Sequence, residues 1–159
     1  MNNLKKTILL VAFALPIFLV SAPSCFAETS THASHESSTQ PILIENAWYR
    51  AVLPGQKSTA VYFKATNVMK NSASIDSVEI EGAHHVMMHE SYDDAGISKM
   101  RHVDQVTIEP RQTTSFRPGG LHVMVMGVSD ELRQLEKIKV ILNLSDGSQQ
   151  SFFADRRQP

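Results

Sequence analysis

The chain has 159 residues, 42% of them hydrophobic, and a formal net charge of −1. That length suits one domain. The near balance of charge excludes a nucleic-acid partner held by many cationic contacts.

Read from its start, the chain opens with Lys5 and Lys6, then the apolar run "TILLVAFALPIFLV" from Thr7 to Val20, then "SAPSCFA". This is the pattern of a secretory signal peptide, with cleavage expected after Ala27. The apolar run is shorter than the ~20 residues needed to span a bilayer. Cleavage there discards Cys25, the single cysteine of the chain. The mature protein is then thiol-free and exported to an oxidising compartment, held together by its core alone. The alternative is lipid attachment at Cys25, because "SAPSC" is loosely like a lipobox, with Ala22 where Leu is usual. Residues 28–41, "ETSTHASHESSTQP", carry no large apolar side chain before Pro41 and read as a flexible tail, with His32 and His35 as solvated residues of it.

From residue 42 the sequence becomes a series of short runs rich in Val, Ile, Thr and aromatics. They are "ILIENAWYRAV", "TAVYFKATN", "ASIDSVEI", "HHVMMHESY", "ISKMRHV", "QVTIEP", "TTSFRP", "LHVMVMGV", "KIKVILNL" and "QQSFFA". Turn signals such as "LPGQKS", "DDAG" and "SDGS" separate several of them. "SDELRQLEK" is the one stretch with room for a helical turn or two. Ten short runs without long helical periodicity predict an all-β antiparallel sandwich or barrel.

Methionine and histidine are unevenly spread. The chain has seven of each, and five of each lie between His84 and Met126. Successive strand residues point to opposite faces of a sheet. In "GGLHVMVMGV", Leu121, Val123 and Val125 share one face and His122, Met124 and Met126 the other. β-Branched residues belong in a core, so His122 and Met124 are expected to stand together away from it. In "HHVMMHE", His85, Met87 and His89 share a face, with Met87 and His85 as second-rank candidate ligands, opposite His84, Val86 and Met88, of which His84 and Met88 read as packing. In "ISKMRHV", Met100 and His102 face away from Lys99 and Arg101. Three strands thus each offer an imidazole beside a thioether. Soft thioether sulfur selects Cu(I) over harder cations, and imidazole accepts copper in either oxidation state.

His89, Met100, His122 and Met124 form H-x10-M-x21-H-x-M. This spacing resembles the signature of the periplasmic copper chaperone PCu(A)C family. "IENAWYRAVLPGQKSTAVYFKATN" is similar to the family's N-terminal segment, "RPGGLHVMVMGV" to its metal-binding strand and "KIKVILNLSDGSQQSF" to its terminal hairpin. The similarity extends over residues 42–154. It implies a single-domain, cupredoxin-like Greek-key β-sandwich over residues 42–159. It implies Cu(I) held by His89, Met100, His122 and Met124. It also implies delivery of copper in the periplasm to an acceptor, such as the copper centre of a terminal cytochrome oxidase or its assembly factor. There are two departures. The sequence closes on "ADRRQP" where members often carry a Met- and His-rich tail, and His102 stands where many members have proline. His102 is open to three roles: accessory ligand, outer donor, or solvated side chain.

Other function classes fit less well. A blue-copper carrier needs a cysteine thiolate with two histidines, which the mature chain does not offer. For an enzyme, the sequence shows no Gly-x-Ser-x-Gly, no phosphate loop and no His-Glu-x-x-His. His85 and His89 have the spacing of a helical zinc pair, but they lie in a strand-rich segment. The remaining competitor is an exported, metal-free β-sandwich that serves binding or adhesion. A monomer is expected, without stable membrane insertion once the leader is removed.

Overall fold

The alternating runs become ten strands and one short helix in a computed structural model, which describes residues 40–158. The expected leader, Cys25, and the tail with His32 and His35 lie outside the described residues. The strands are β1 (Ile42–Arg50), β2 (Ser58–Asn67), β3 (Ala73–Ile80), β4 (His85–Asp94), β5 (Ile97–His102), β6 (Val106–Ile108), β7 (Thr113–Phe116), β8 (Leu121–Met126), β9 (Lys137–Leu144) and β10 (Gln149–Arg157). Each falls within or close to one of the ten runs. "SDELRQLEK" supplies α1 (Asp130–Gln134), started by Ser129, whose hydroxyl accepts from the Leu132 amide at 3.1 Å.

The strands join edge to edge in the order β5-β4-β8-β2-β1-β10-β9-β3-β6, with β7 also on β2. β2 changes partner along its length: residues 58–61 pair with β8 and residues 63–66 with β7. The described pairings are antiparallel except for β1 with β10, which run parallel over Trp48–Arg50 and Asp155–Arg157. Apolar residues from both halves of this path form one buried cluster. Val61, Phe63, Met88, Val123 and Val125 belong to it from one half, and Ile75, Val78, Ile138, Val140 and Leu142 from the other. Each such side chain contributes about 1.5–3 kcal/mol by leaving water. Phe63 stacks on Phe116 at a centroid distance of 4.2 Å and tilts against Phe152 at 5.0 Å.

β1 departs from regular strand pairing at two points. Near its start, the buried Gln150 side chain takes the place of a neighbouring strand. Its Oε1 accepts from the Ile42 amide at 3.1 Å, and its Nε2 donates to the Ile42 carbonyl. Further along, Glu45 pairs with Lys64 but Trp48 pairs with Tyr62, so β1 carries one extra residue between them. Asn46 takes this bulge with φ of 54°, a conformation asparagine tolerates better than most residues. In regular pairing Trp48 would stand opposite Val61. The bulge moves it beside Tyr62, with ring centroids 4.5 Å apart.

Candidate metal centre

The site is built on three adjacent strands, β5, β4 and β8. A two-residue turn joins β4 to β5. Asp94 pairs with Ile97, and Ala95 and Gly96 between them have φ of 55° and 84°. Both values are positive, as a type I′ hairpin requires. The Asp93 carboxylate accepts from the Gly96 amide at 3.0 Å. This turn folds "ESYDDAGISK" back on itself, so that His102 stands opposite His89 and Met100 opposite Ser91. On the other side of β4, His89 pairs with His122, Met87 with Met124, and His85 with Met126. All of these residues share one face of the sheet by alternation.

The four residues singled out from the motif therefore converge. Met100, His122 and Met124 line a cleft of about 450 Å³, together with Ser91, Tyr62, Ala60 and Gly119. His89 stands beside it, its ring centroid 6.0 Å from that of His122 and nearly perpendicular to it. Met100 reaches the cleft because its cross-strand neighbour is the small Ser91. It is 54% exposed on a strand at the end of the sheet path.

The two imidazoles differ in how they are held. His122 is 5% exposed, with its ring near that of Tyr62 at 6.4 Å. It is a buried residue on the face away from the main core, which simple alternation did not anticipate. Its Nδ1 lies 2.9 Å from the Gly120 carbonyl oxygen. A carbonyl only accepts, so Nδ1 carries the proton and Nε2 keeps a lone pair for a metal. His89 has a buried Nδ1 with no hydrogen-bond partner. Leaving such an atom unsatisfied costs about 1–3 kcal/mol, and a bound ion would relieve it. Burial holds the His89 pKa below 6.5, helped by the neighbouring His122 and His102. The neutral, ligating form is thus favoured.

The remaining histidines separate. His102 is half-exposed, its ring 5.7 Å from that of His89, and its Nε2 lies 3.2 Å from the Asp104 carboxylate. It is paired as well as solvated. His84 precedes β4, is exposed, and packs against Gly127; a Cβ at Gly127 would lie 2.6 Å from His84 Cβ. Met88 is 3% exposed within the core, as its alternation implies. Alternation along single strands misses Tyr62 and Ser91, which lie on neighbouring strands, and Gly120, whose backbone carbonyl meets His122 two residues on. In the chain, their signal is a small or ring-bearing residue at the right parity beside the His/Met positions. Among the described residues, no group of three or more His, Cys, Asp and Glu could hold a metal; the side chains beside the two imidazoles are the thioethers of Met100 and Met124.

The β-sandwich is the fold of solved PCuAC domains. The copper-bound PCuAC domain from PmoF2 aligns with a TM-score of 0.63 at 21% identity, covering 76% of this chain and 95% of that one. The solution structure of CuI-DR1885 from Deinococcus radiodurans aligns with a TM-score of 0.59 at 26% identity, covering 74% and 79%. The resemblance read from the motif thus extends to the tertiary structure. The chain belongs to the family described as "Putative lipoprotein LpqE-like", which matches residues 42–154. A curated relative, "Putative lipoprotein Lxx21020" of Leifsonia xyli subsp. xyli, is 27% identical over 146 residues, 91% of this chain and 87% of the relative.

Proposed function

We propose that this protein is an exported Cu(I) carrier that holds one copper ion with His89, Met100, His122 and Met124 and gives it to a copper-accepting protein. The observation that carries this reading is the convergence of Met100, His122 and Met124 on one cleft, with the unpartnered imidazole of His89 beside it. The similarity to CuI-DR1885 supports copper as the cargo.

The donor set matches the task. Two thioethers and two neutral imidazoles carry no net charge, which suits a soft monovalent ion and disfavours Zn(II). Thioethers have no proton to lose, so uptake by Met100 and Met124 releases none. Edge placement serves release. Met100 is the exposed donor, so an incoming ligand displaces it first while His122, fixed by Gly120, still holds the ion. Copper then passes by stepwise exchange and is never free. The acceptor in this reading is a copper enzyme of the same compartment, such as the copper centre of a terminal cytochrome oxidase, or an assembly factor for it. In the same reading the leader directs the protein to the periplasm, and no catalytic role is assigned to it. The lipoprotein descriptions of the family and of its relative favour attachment through Cys25 over cleavage after Ala27.

Anaerobic titration of the protein with Cu(I) against a chromogenic chelator tests the assignment. One equivalent binds tightly, and Met100→Ala or His122→Ala weakens it at least tenfold. Equal affinity for Zn(II), or unchanged Cu(I) affinity in both variants, would sink this reading.

A further inference from the structure

Of the His and Met residues on this face of β4, the motif uses His89 alone and leaves the others unexplained. Three consecutive cross-strand pairs stand on that face between β4 and β8. They are His89 with His122, Met87 with Met124, and His85 with Met126. The register runs without a shift through all of them. Residues directly opposite in an antiparallel pair have Cβ atoms about 4.5–5.5 Å apart, and successive pairs on one face are about 7 Å apart along the strands. Every position of this ladder is an imidazole or a thioether.

We propose that His85, Met87 and Met126 form a second, weaker soft-metal site beside the first, selective for Cu(I) or another soft monovalent cation. The proposal deepens the carrier reading and rests on it. His85 and Met126 face each other across the two strands, and Met87 follows one step along β4. Met124, opposite Met87, lies between the two sites and serves either. The core does not account for these side chains. The opposite face of the same strands is filled by Met88, Val123 and Val125, all fully or nearly buried. Met87 and Met126 instead stay partly open and His85 is exposed. On β2, the partners of Met124 and Met126 are Ala60 and Ser58, small residues that leave the thioethers uncovered.

The donors available are one imidazole and two thioethers, a three-coordinate set with no charge and no oxygen. Such a set suits Cu(I) and offers little to Zn(II), Mg(II) or Ca(II). Two features make it the weaker of the pair. It has one imidazole where the first site has two. A copper ion already bound roughly 7 Å away repels the second. A short, uncharged path from one site to the next gives the bound ion a second resting place toward the His85 end of the strand pair.

The test is a two-equivalent titration of the protein with Ag(I), a redox-inert stand-in for Cu(I), followed through the methionine methyl resonances. The first equivalent shifts Met100 and Met124. The second, bound ten- to a hundredfold more weakly, shifts Met87 and Met126. Met126→Leu conserves volume and His85→Gln conserves polarity, so the double variant should unfold at an unchanged temperature. It should lose the second equivalent and keep the first. Saturation at one equivalent in the unaltered protein overturns the proposal and leaves the first site standing. So does a second equivalent that persists in the double variant. Failure to bind even the first equivalent overturns the carrier reading itself.

Discussion

Met87 and Met88 are neighbours in the chain and opposites in the structure. Met88 lies in the core, 3% exposed, paired with Val123. Met87 stands on the other face of β4, partly open, paired with Met124 and one step from His89. Both belong to the same cluster of methionines in composition. Parity alone separates the packing residue from the one on the His/Met face. The difference extends along the whole β4–β8 pair. One face is an apolar layer shut away from water, and the other is a row of imidazoles and thioethers, several of them left partly open.

The contrast between the two faces is easiest to break at Met88. Met88→Ala should cost about 2–5 kcal/mol of stability, the usual range for removing a buried methionine. Met87→Ala should cost under about 1 kcal/mol, as for a partly exposed position. Urea unfolding of the two variants measures both. Equal losses would mean that the donor face is packed like a core.

A smaller effect is expected at Ser91. Its short side chain lets Met100 reach across β4 toward His122 and Met124. Ser91→Leu fills that gap. Cu(I) affinity should fall about tenfold, close to 1.4 kcal/mol, while the unfolding midpoint changes little. Unchanged affinity would show that Met100 takes another route to the ion, or none.

The smallest effect concerns protons. Burial, then the neighbouring His122 and His102, holds His89 below its ordinary pKa of 6.5. Between the folded pKa and 6.5, the unfolded chain binds more protons at this position than the folded one. Stability from this group is therefore fully present above pH 6.5 and is lost as pH falls through the folded pKa. In the metal-free protein, the His89 ring resonances should titrate with a midpoint below 6.5, and stability should decline over the same range. A midpoint at or above 6.5 would mean that His89 is solvated like the outer face of an ordinary strand.

Much of this was legible from the chain. The ten runs became ten strands because each combines β-branched or aromatic residues with turn signals, and those are local preferences. The faces of β4 and β8 were legible for the same reason: alternation is a property of any extended segment. The spacing of His89, Met100, His122 and Met124 marked four residues that line or flank one cleft without revealing how they meet. The parallel pairing of β1 with β10 was not legible, since it joins segments more than a hundred residues apart in the chain. Neither was the burial of His122. Alternation assigns a face, but what covers that face comes from other strands.

By itself, then, the sequence determined the all-β class, the division of each strand into a core face and a donor face, and the identity of the soft bases. These follow from side-chain chemistry and a two-residue period, which need no partner strand. Tertiary structure alone decided the register that turned separate His and Met residues into opposed pairs. It decided which residues the turn already legible in "DDAG" sets opposite one another, returning Met100 to the cleft, and the bulge at Asn46 that swings Trp48 next to Tyr62. Register between strands is settled by the fit of whole faces and by turns, and a metal site made of one donor from each of several positions exists only once that fit is made.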